Sequence, residues 1–227
     1  LSSSPRAGAS ESEVIARAPG VTGGELVLRR VGEHFEIISN GVFLMDTRGG
    51  ASEREMVRAA LAALPAGRTG IRVLIGGLGV GFSAREALDD ERVEHVRVVE
   101  LEPRVIEWHS GPLAEVAGRL PEDPRCELTR ADFLSWLGAA TETFDAICVD
   151  IDNGPDWTVV EGNDRLYEPP ALERLGRILS PEGVIAFWSA MRAPGFAARL
   201  EERSSAVRTI EIPAPRGEPD IVYLARP

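Results

Sequence analysis

Lysine is absent from this chain of 227 residues; all 25 cationic side chains are arginine. That excludes a phosphate-loop lysine, a Schiff-base lysine and a lysine general base. Cysteine is scarce, with Cys126 and Cys148 both inside apparent strands. Two such thiols make no disulfide framework and suit buried positions in a reducing, cytoplasmic setting. His34, His95 and His109 are scattered without metal-ligand spacing, so no metal site is expected. No apolar run approaches the ~20 residues of a transmembrane helix. The Ser-rich start lacks an apolar h-region, so neither a membrane span nor a signal peptide is expected. Positive charge is outweighed: the net charge is −11, which argues against binding nucleic acid or an anionic membrane. A serine nucleophile elbow and a Cys/His pair are missing as well.

What remains is a chain with 44% hydrophobic residues, enough for one full core and a small N-terminal addition. Residues 1–24, rich in Ser, Gly, Ala and Pro, read as disordered. Residues 25–67 read as a small antiparallel β unit plus a helix. Its runs are 25–31, 34–39 and 42–46, with Asn40-Gly41 as a hairpin turn, and the helix covers 52–64. Residues 68–227 alternate strand and helix. Strands are expected at 71–76, 95–100, 126–129, 144–150 and 183–189. Helices are expected at 83–88, 103–108, 112–119, 133–139, 170–179 and 194–202. Two β runs, 207–212 and 221–225, close the chain. This pattern predicts an α/β fold with a doubly wound, Rossmann-like sheet. Seven strands with a terminal pair, the last inserted antiparallel, are expected of a methyltransferase-type sheet.

The run Val73-Leu74-Ile75-Gly76 leads into Gly77-Leu78-Gly79-Val80-Gly81, and Val98-Val99-Glu100-Leu101 follows about twenty residues later. Glycines let a backbone turn sharply beneath a ligand, and the acid accepts hydrogen bonds from two ribose hydroxyls. Gly77, Leu78, Gly79, Gly81, Glu100 and Leu101 are therefore candidate nucleoside contacts. Phe82 stands where a dinucleotide fingerprint has Gly or Ala, which favours an S-adenosylmethionine-type nucleoside over NAD. After the third strand, Asp132 and Phe133 are candidates for the adenine amino group and face; a helix N-cap followed by a core aromatic is the plainer reading. After the fourth strand, Asp150-Ile151-Asp152-Asn153-Gly154-Pro155-Asp156-Trp157 faces the glycine loop across the switch point. Asp150 is the candidate catalytic carboxylate, with Asp152 and Asn153 in support. Trp188-Ser189-Ala190, after the fifth strand, lacks the acid that a metal-dependent methyltransferase would want.

From about Glu25 to Pro181 the chain resembles the spermidine synthase family of aminopropyltransferases. The resemblance is carried by Asn40-Gly41-Val42-Phe43-Leu44, Ser52-Glu53-Arg54-Glu55-Met56 and the glycine loop with Arg85-Glu86. It continues in Val99-Glu100-Leu101-Glu102-Pro103, Asp123-Pro124-Arg125, Phe144-Asp145-Ala146-Ile147-Cys148-Val149-Asp150 and Leu179-Ser180-Pro181-Glu182-Gly183. It implies a decarboxylated S-adenosylmethionine donor, a ribose on Glu100, an adenine near Asp132 and a catalytic carboxylate at Asp150. The departures are specific. Val80 occupies the position of the family's donor-amine Asp. Glu53 and Leu44 stand for its amine-gripping Tyr and Gln, and Asp150-Ile151-Asp152-Asn153 replaces Asp-Ser-x-Asp. Val80 removes a charge that would repel the carboxylate of ordinary S-adenosylmethionine. The expectations are a transferase that binds S-adenosylmethionine, its decarboxylated form or methylthioadenosine, and a small-molecule acceptor with amines among the candidates. A small-molecule methyltransferase and a non-catalytic nucleoside-binding homologue are the alternatives. Exposed edges in the β unit also suit a homodimer.

Overall fold

The computed structural model describes residues 12–214 and 217–227. They form two compact units, divided between Arg48 and Gly49.

In the first unit β1 (Ser12–Pro19), β2 (Glu25–Val31), β3 (His34–Ser39) and β4 (Val42–Asp46) make an antiparallel meander in that order. Asn40 and Gly41 have φ of 51° and 77°, the left-handed pair that a two-residue hairpin turn requires. Asn40 Oδ1 also accepts from the Glu25 N–H at 2.8 Å, joining the turn to the far end of β2. The disorder expected of residues 1–24 needs correction from Ser12 onward; residues 1–11 lie outside the described residues. Composition alone overlooked the hairpin. Gly23 and Gly24, at φ 93° and 74°, turn the chain so that β1 pairs with β2.

The second unit begins with α1 (Ala51–Ala63), which packs on the large sheet; the unit boundary therefore precedes this helix rather than following residue 67. Met56, Val57, Ala60 and Leu61 are its buried stripe. β5 (Ile71–Gly76), α2 (Phe82–Asp89), β6 (Val93–Glu100), α3 (Pro103–Trp108), β7 (Cys126–Arg130), α4 (Phe133–Ala139) and β8 (Phe144–Val149) follow. α5 (Pro169–Arg177), β9 (Leu179–Ser189), α6 (Pro194–Glu201), β10 (Ala206–Ile212) and β11 (Asp220–Arg226) complete it. Residues 112–119, expected to be helical, are instead a succession of turns, which Gly118 and Arg119 end with φ of 66° and 56°. Pro112 follows Gly111 and Gly118 breaks the segment, so no helical nucleus is favoured there.

The seven strands lie in the order β10-β11-β9-β8-β5-β6-β7. β5 to β9 are parallel, and β11 runs antiparallel between β9 and β10. The fold is a doubly wound α/β sheet of the methyltransferase type, with a separate four-stranded antiparallel sheet. The order reverses at β5, flanked by β6 and β8, and ligands of such sheets bind at the carboxyl ends beside that reversal. At the opposite pole Asp145, 5% exposed, ties β5, β8 and β9 together. Its carboxylate accepts from Arg68, from Ser180 Oγ at 2.6 Å and from the Arg72 N–H at 2.8 Å. That buried acid is structural and lies away from the reversal.

Candidate active site

The carboxyl end of β5 is a turn built on close approach. Gly77 has φ 91°, and a Cβ there would lie 2.1 Å from the Asp150 carbonyl oxygen. The Asp150 N–H donates to the Gly76 carbonyl at 2.8 Å, so the ends of β5 and β8 are clamped backbone to backbone. Only glycine permits that contact with that φ. The Gly77 N–H donates to Val99 O at 2.9 Å, and Gly81, at φ 89°, leads directly into α2.

Glu100 ends β6 directly beneath this turn. Its Oε2 accepts from the Leu78 N–H at 2.8 Å and its Oε1 from the Glu102 N–H at 2.7 Å. Burial pushes this carboxyl up, while the backbone N–H groups of Glu102, Leu78 and Leu101 pull it down. With three backbone donors on about four lone-pair sites, the carboxylate keeps acceptor capacity for a ligand hydroxyl. The sequence-derived set Gly77, Leu78, Gly79, Gly81, Glu100 and Leu101 is thus gathered at one place. Phe133 is close by: its ring would meet a Cβ at Gly76 at 2.9 Å, beside Ile151 Cδ1 at 3.0 Å. Asp132 caps α4, its Oδ1 accepting from the Ser135 N–H at 2.8 Å. The cap-and-core reading of that pair is seen in the structure, and it does not exclude the adenine role, since one pair can serve both.

Asp150 sits across the reversal from the glycine turn. Its Oδ2 accepts from Ser83 Oγ at 2.9 Å, from the first turn of α2. Burial pushes its carboxyl up to about 7, with the charges of Glu53 and Asp220 adding to the rise and the Ser83 hydrogen bond opposing it. Glu53 lies in the first turn of α1, where its Oε2 accepts from Ser52 Oγ at 2.9 Å. Asp220 opens β11; burial pushes its carboxyl up and a hydrogen bond with Ser52 pulls it down. Three carboxylates and two serine hydroxyls thus come together from α1, α2, β8 and β11. Among the described residues no group of His, Cys, Asp and Glu is arranged to hold a metal ion.

Asp152 and Asn153 behave differently from Asp150. Asp152, at φ 55°, turns its carboxylate into its own loop, where Oδ2 accepts from Asn163 Nδ2 at 2.8 Å and the Val160 N–H at 3.3 Å. The Asn153 carbonyl accepts from the Ala190 N–H at 3.0 Å. Both residues fasten the loop after β8, and Trp157 on that loop is 50% exposed. Ser52, Ser83 and Asp220 escaped the sequence reading. Asp220 was the accessible one, since an antiparallel last strand must start at the edge where the parallel strands finish.

The spermine/spermidine synthase domain model matches residues 53–191, more than half of the chain. The chain belongs to this family. Polyamine aminopropyltransferase 2 of Ralstonia nicotianae is 29% identical over 176 residues, covering 77% of this chain and 33% of that protein. The chain spans about a third of the length of the curated relatives it matches. A spermidine synthase solved in complex with the transition state analogue AdoDATO superposes with a TM-score of 0.74 at 18% identity, over 93% of this chain and 71% of that one. Human methyltransferase-like protein 13, solved in complex with SAH, superposes with a TM-score of 0.65 at 20% identity, over 78% and 82%. At these identities the two structures speak for the fold. Within the spermidine synthase family the matched span contains Glu53, the glycine turn, Glu100 and Asp150, and ends before Asp220.

Proposed function

We propose that this protein is a spermidine synthase-type transferase. It binds an S-adenosyl nucleoside on the glycine turn and Glu100, and moves an alkyl group from the sulfonium to a small cationic amine. The observation that carries this reading is Asp150, held by Ser83 beside the turn and near neutral proton affinity by burial, Glu53 and Asp220. A carboxylate so placed accepts a proton from an approaching ammonium. The freed nitrogen lone pair then attacks the carbon beside the sulfonium. The C–S bond breaks, its electrons remain on sulfur, and a neutral thioether nucleoside leaves. Glu53 and Asp220 supply negative charge that favours a cation at the site, and the rigid strand ends fix the attack geometry.

Val80 bears on which group is transferred. It is fully buried beside the turn, where the family resemblance expects an Asp for the donor amine. An apolar residue there neither attracts that amine nor repels a carboxylate, so ordinary S-adenosylmethionine is an acceptable donor and methyl transfer is the second reading. Putrescine is expected to be a poor acceptor, and efficient spermidine formation by the purified protein would refute that expectation. Calorimetric titration with S-adenosylmethionine, its decarboxylated form and methylthioadenosine separates the readings. Preference for the first supports methyl transfer, and preference for the second supports aminopropyl transfer. Binding of none leaves a non-catalytic homologue and ends the proposal.

A further inference from the structure

His109 follows α3 and is 1% exposed. Its Nε2 lies 3.0 Å from the Gly79 carbonyl oxygen. A carbonyl only accepts, so Nε2 carries the proton and Nδ1 is bare. Nδ1 is buried and, among the described residues, has no hydrogen-bond partner. Burial pushes the imidazole's proton affinity down, against the pull of the Gly79 carbonyl, so the ring stays neutral. An interior acceptor without a donor is costly, and a leucine would fill this space without that cost. The ring's distinguishing feature is therefore its N–H.

The glycine turn has reason to need that N–H. Gly77, Gly79 and Gly81 have φ of 91°, 49° and 89°, and glycine populates positive and negative φ with similar ease. Such a segment has alternative conformations close in energy. Glu100 fixes the Leu78 N–H. The Gly81 N–H holds the Leu78 carbonyl at 2.8 Å, and His109 fixes the carbonyl after it, that of Gly79, from a different element. The fit is close: a Cβ at Gly81 would lie 2.7 Å from His109 Cε1 and 2.7 Å from Ala117 Cβ. The imidazole is wedged under the turn that it holds.

We propose that His109 is a positioning residue for the nucleoside turn. Its neutral imidazole holds the Gly79 carbonyl and sets the turn in its binding conformation before the ligand arrives. Because the turn is ordered during folding, the ligand meets less of that cost and binds more tightly. The inference rests on the nucleoside reading above and adds a residue that the sequence analysis left without a role.

The test compares the whole wild-type chain with His109→Gln and His109→Leu, using methylthioadenosine in calorimetry and thermal melting in parallel. Gln keeps an N–H donor, whereas Leu keeps apolar volume alone. Leu is expected to weaken methylthioadenosine binding roughly tenfold, the equivalent of one lost hydrogen bond, while Gln stays within about threefold of wild type. Melting temperatures are expected not to follow that order. His109→Phe, a ring without an N–H, repeats the comparison if the Leu variant does not fold. Affinity within about threefold of wild type for the Leu or Phe variant would overturn the inference while leaving the nucleoside reading intact. So would equal losses in the Gln and Leu variants that track their melting temperatures. Failure of the wild-type chain to bind methylthioadenosine would remove the nucleoside reading and this inference with it.

Discussion

Replacing Asp150 with Asn should make the protein more stable at alkaline pH and, on the proposed transferase reading, abolish turnover. The Asp150 carboxyl moves from 3.8 in the unfolded chain to about 7 in the fold, through burial and then the charges of Glu53 and Asp220. Below pH 3.8 both states hold the proton and the residue has no linkage effect. Between 3.8 and about 7 the unfolded chain ionises while the fold retains its proton, so stability falls as pH rises. Above that window the loss is constant. At 1.36 kcal/mol per pH unit its ceiling is about 4 kcal/mol. Asp150 is half-buried, and solvent screening brings the expected figure to about 2 kcal/mol. Asn has no charge to desolvate and retains an acceptor for Ser83 Oγ. For a chain of this size the gain corresponds to a melting temperature roughly 4–8 °C higher. Scanning calorimetry at pH 5 and pH 8.5 reads it directly. The Asn variant should melt well above wild type at pH 8.5, and by only about a third of that margin at pH 5. A gain independent of pH, or a loss at pH 8.5, would refute the electrostatic account of the site.

Other perturbations test neighbouring parts of the argument. Val80→Asp should shift donor preference toward decarboxylated S-adenosylmethionine, measured as a ratio of calorimetric affinities. Gly77→Ala sets a Cβ 2.1 Å from the Asp150 carbonyl at a φ of 91°, so thermal melting should record a loss of roughly 3 kcal/mol or more. Asp145→Ala leaves Arg68 and the Arg72 N–H without their buried acceptor and should cost about 3–5 kcal/mol in urea unfolding. Because Asp145 stands at the far pole, methylthioadenosine affinity of the folded Asp145→Ala protein should match wild type.

The parallel part of the fold was legible because its signals are local. Apolar runs ending in Gly76, Glu100 and Asp150 mark strands by composition and mark the ligand edge by their terminal residues. Glu100 could be assigned from spacing, since its position one strand over from the glycine turn follows from a βαβ unit. Residues 112–119 misled because their apolar spacing suits a helix, while Gly111, Pro112 and Gly118 set the backbone to turns. β1 misled for the opposite reason: a composition typical of disorder becomes a strand once Gly23 and Gly24 fold it onto β2. Asp152 could not be separated from Asp150 by sequence. Both are acids on one loop, and the left-handed φ of Asp152 sends its side chain to Asn163. The partners of Asp150 were hidden by distance along the chain, since Glu53, Ser83 and Asp220 become its neighbours only in the folded sheet.

β11 fills a slot between β9 and β10, and that placement has a consequence for synthesis. As the chain leaves the ribosome, β5 to β9 emerge before β11, and their parallel pairing needs nothing downstream. The slot stays vacant until β11 appears and inserts by long-range pairing, the slow kind of contact. Asp220 arrives with that segment. The repulsion that Asp220 exerts on Asp150 is thus imposed only once β11 has emerged, when the parallel strands already exist to hold the two together. A nascent chain arrested before β11 would carry Glu53 and Asp150 with a weaker electrostatic burden than one that includes Asp220.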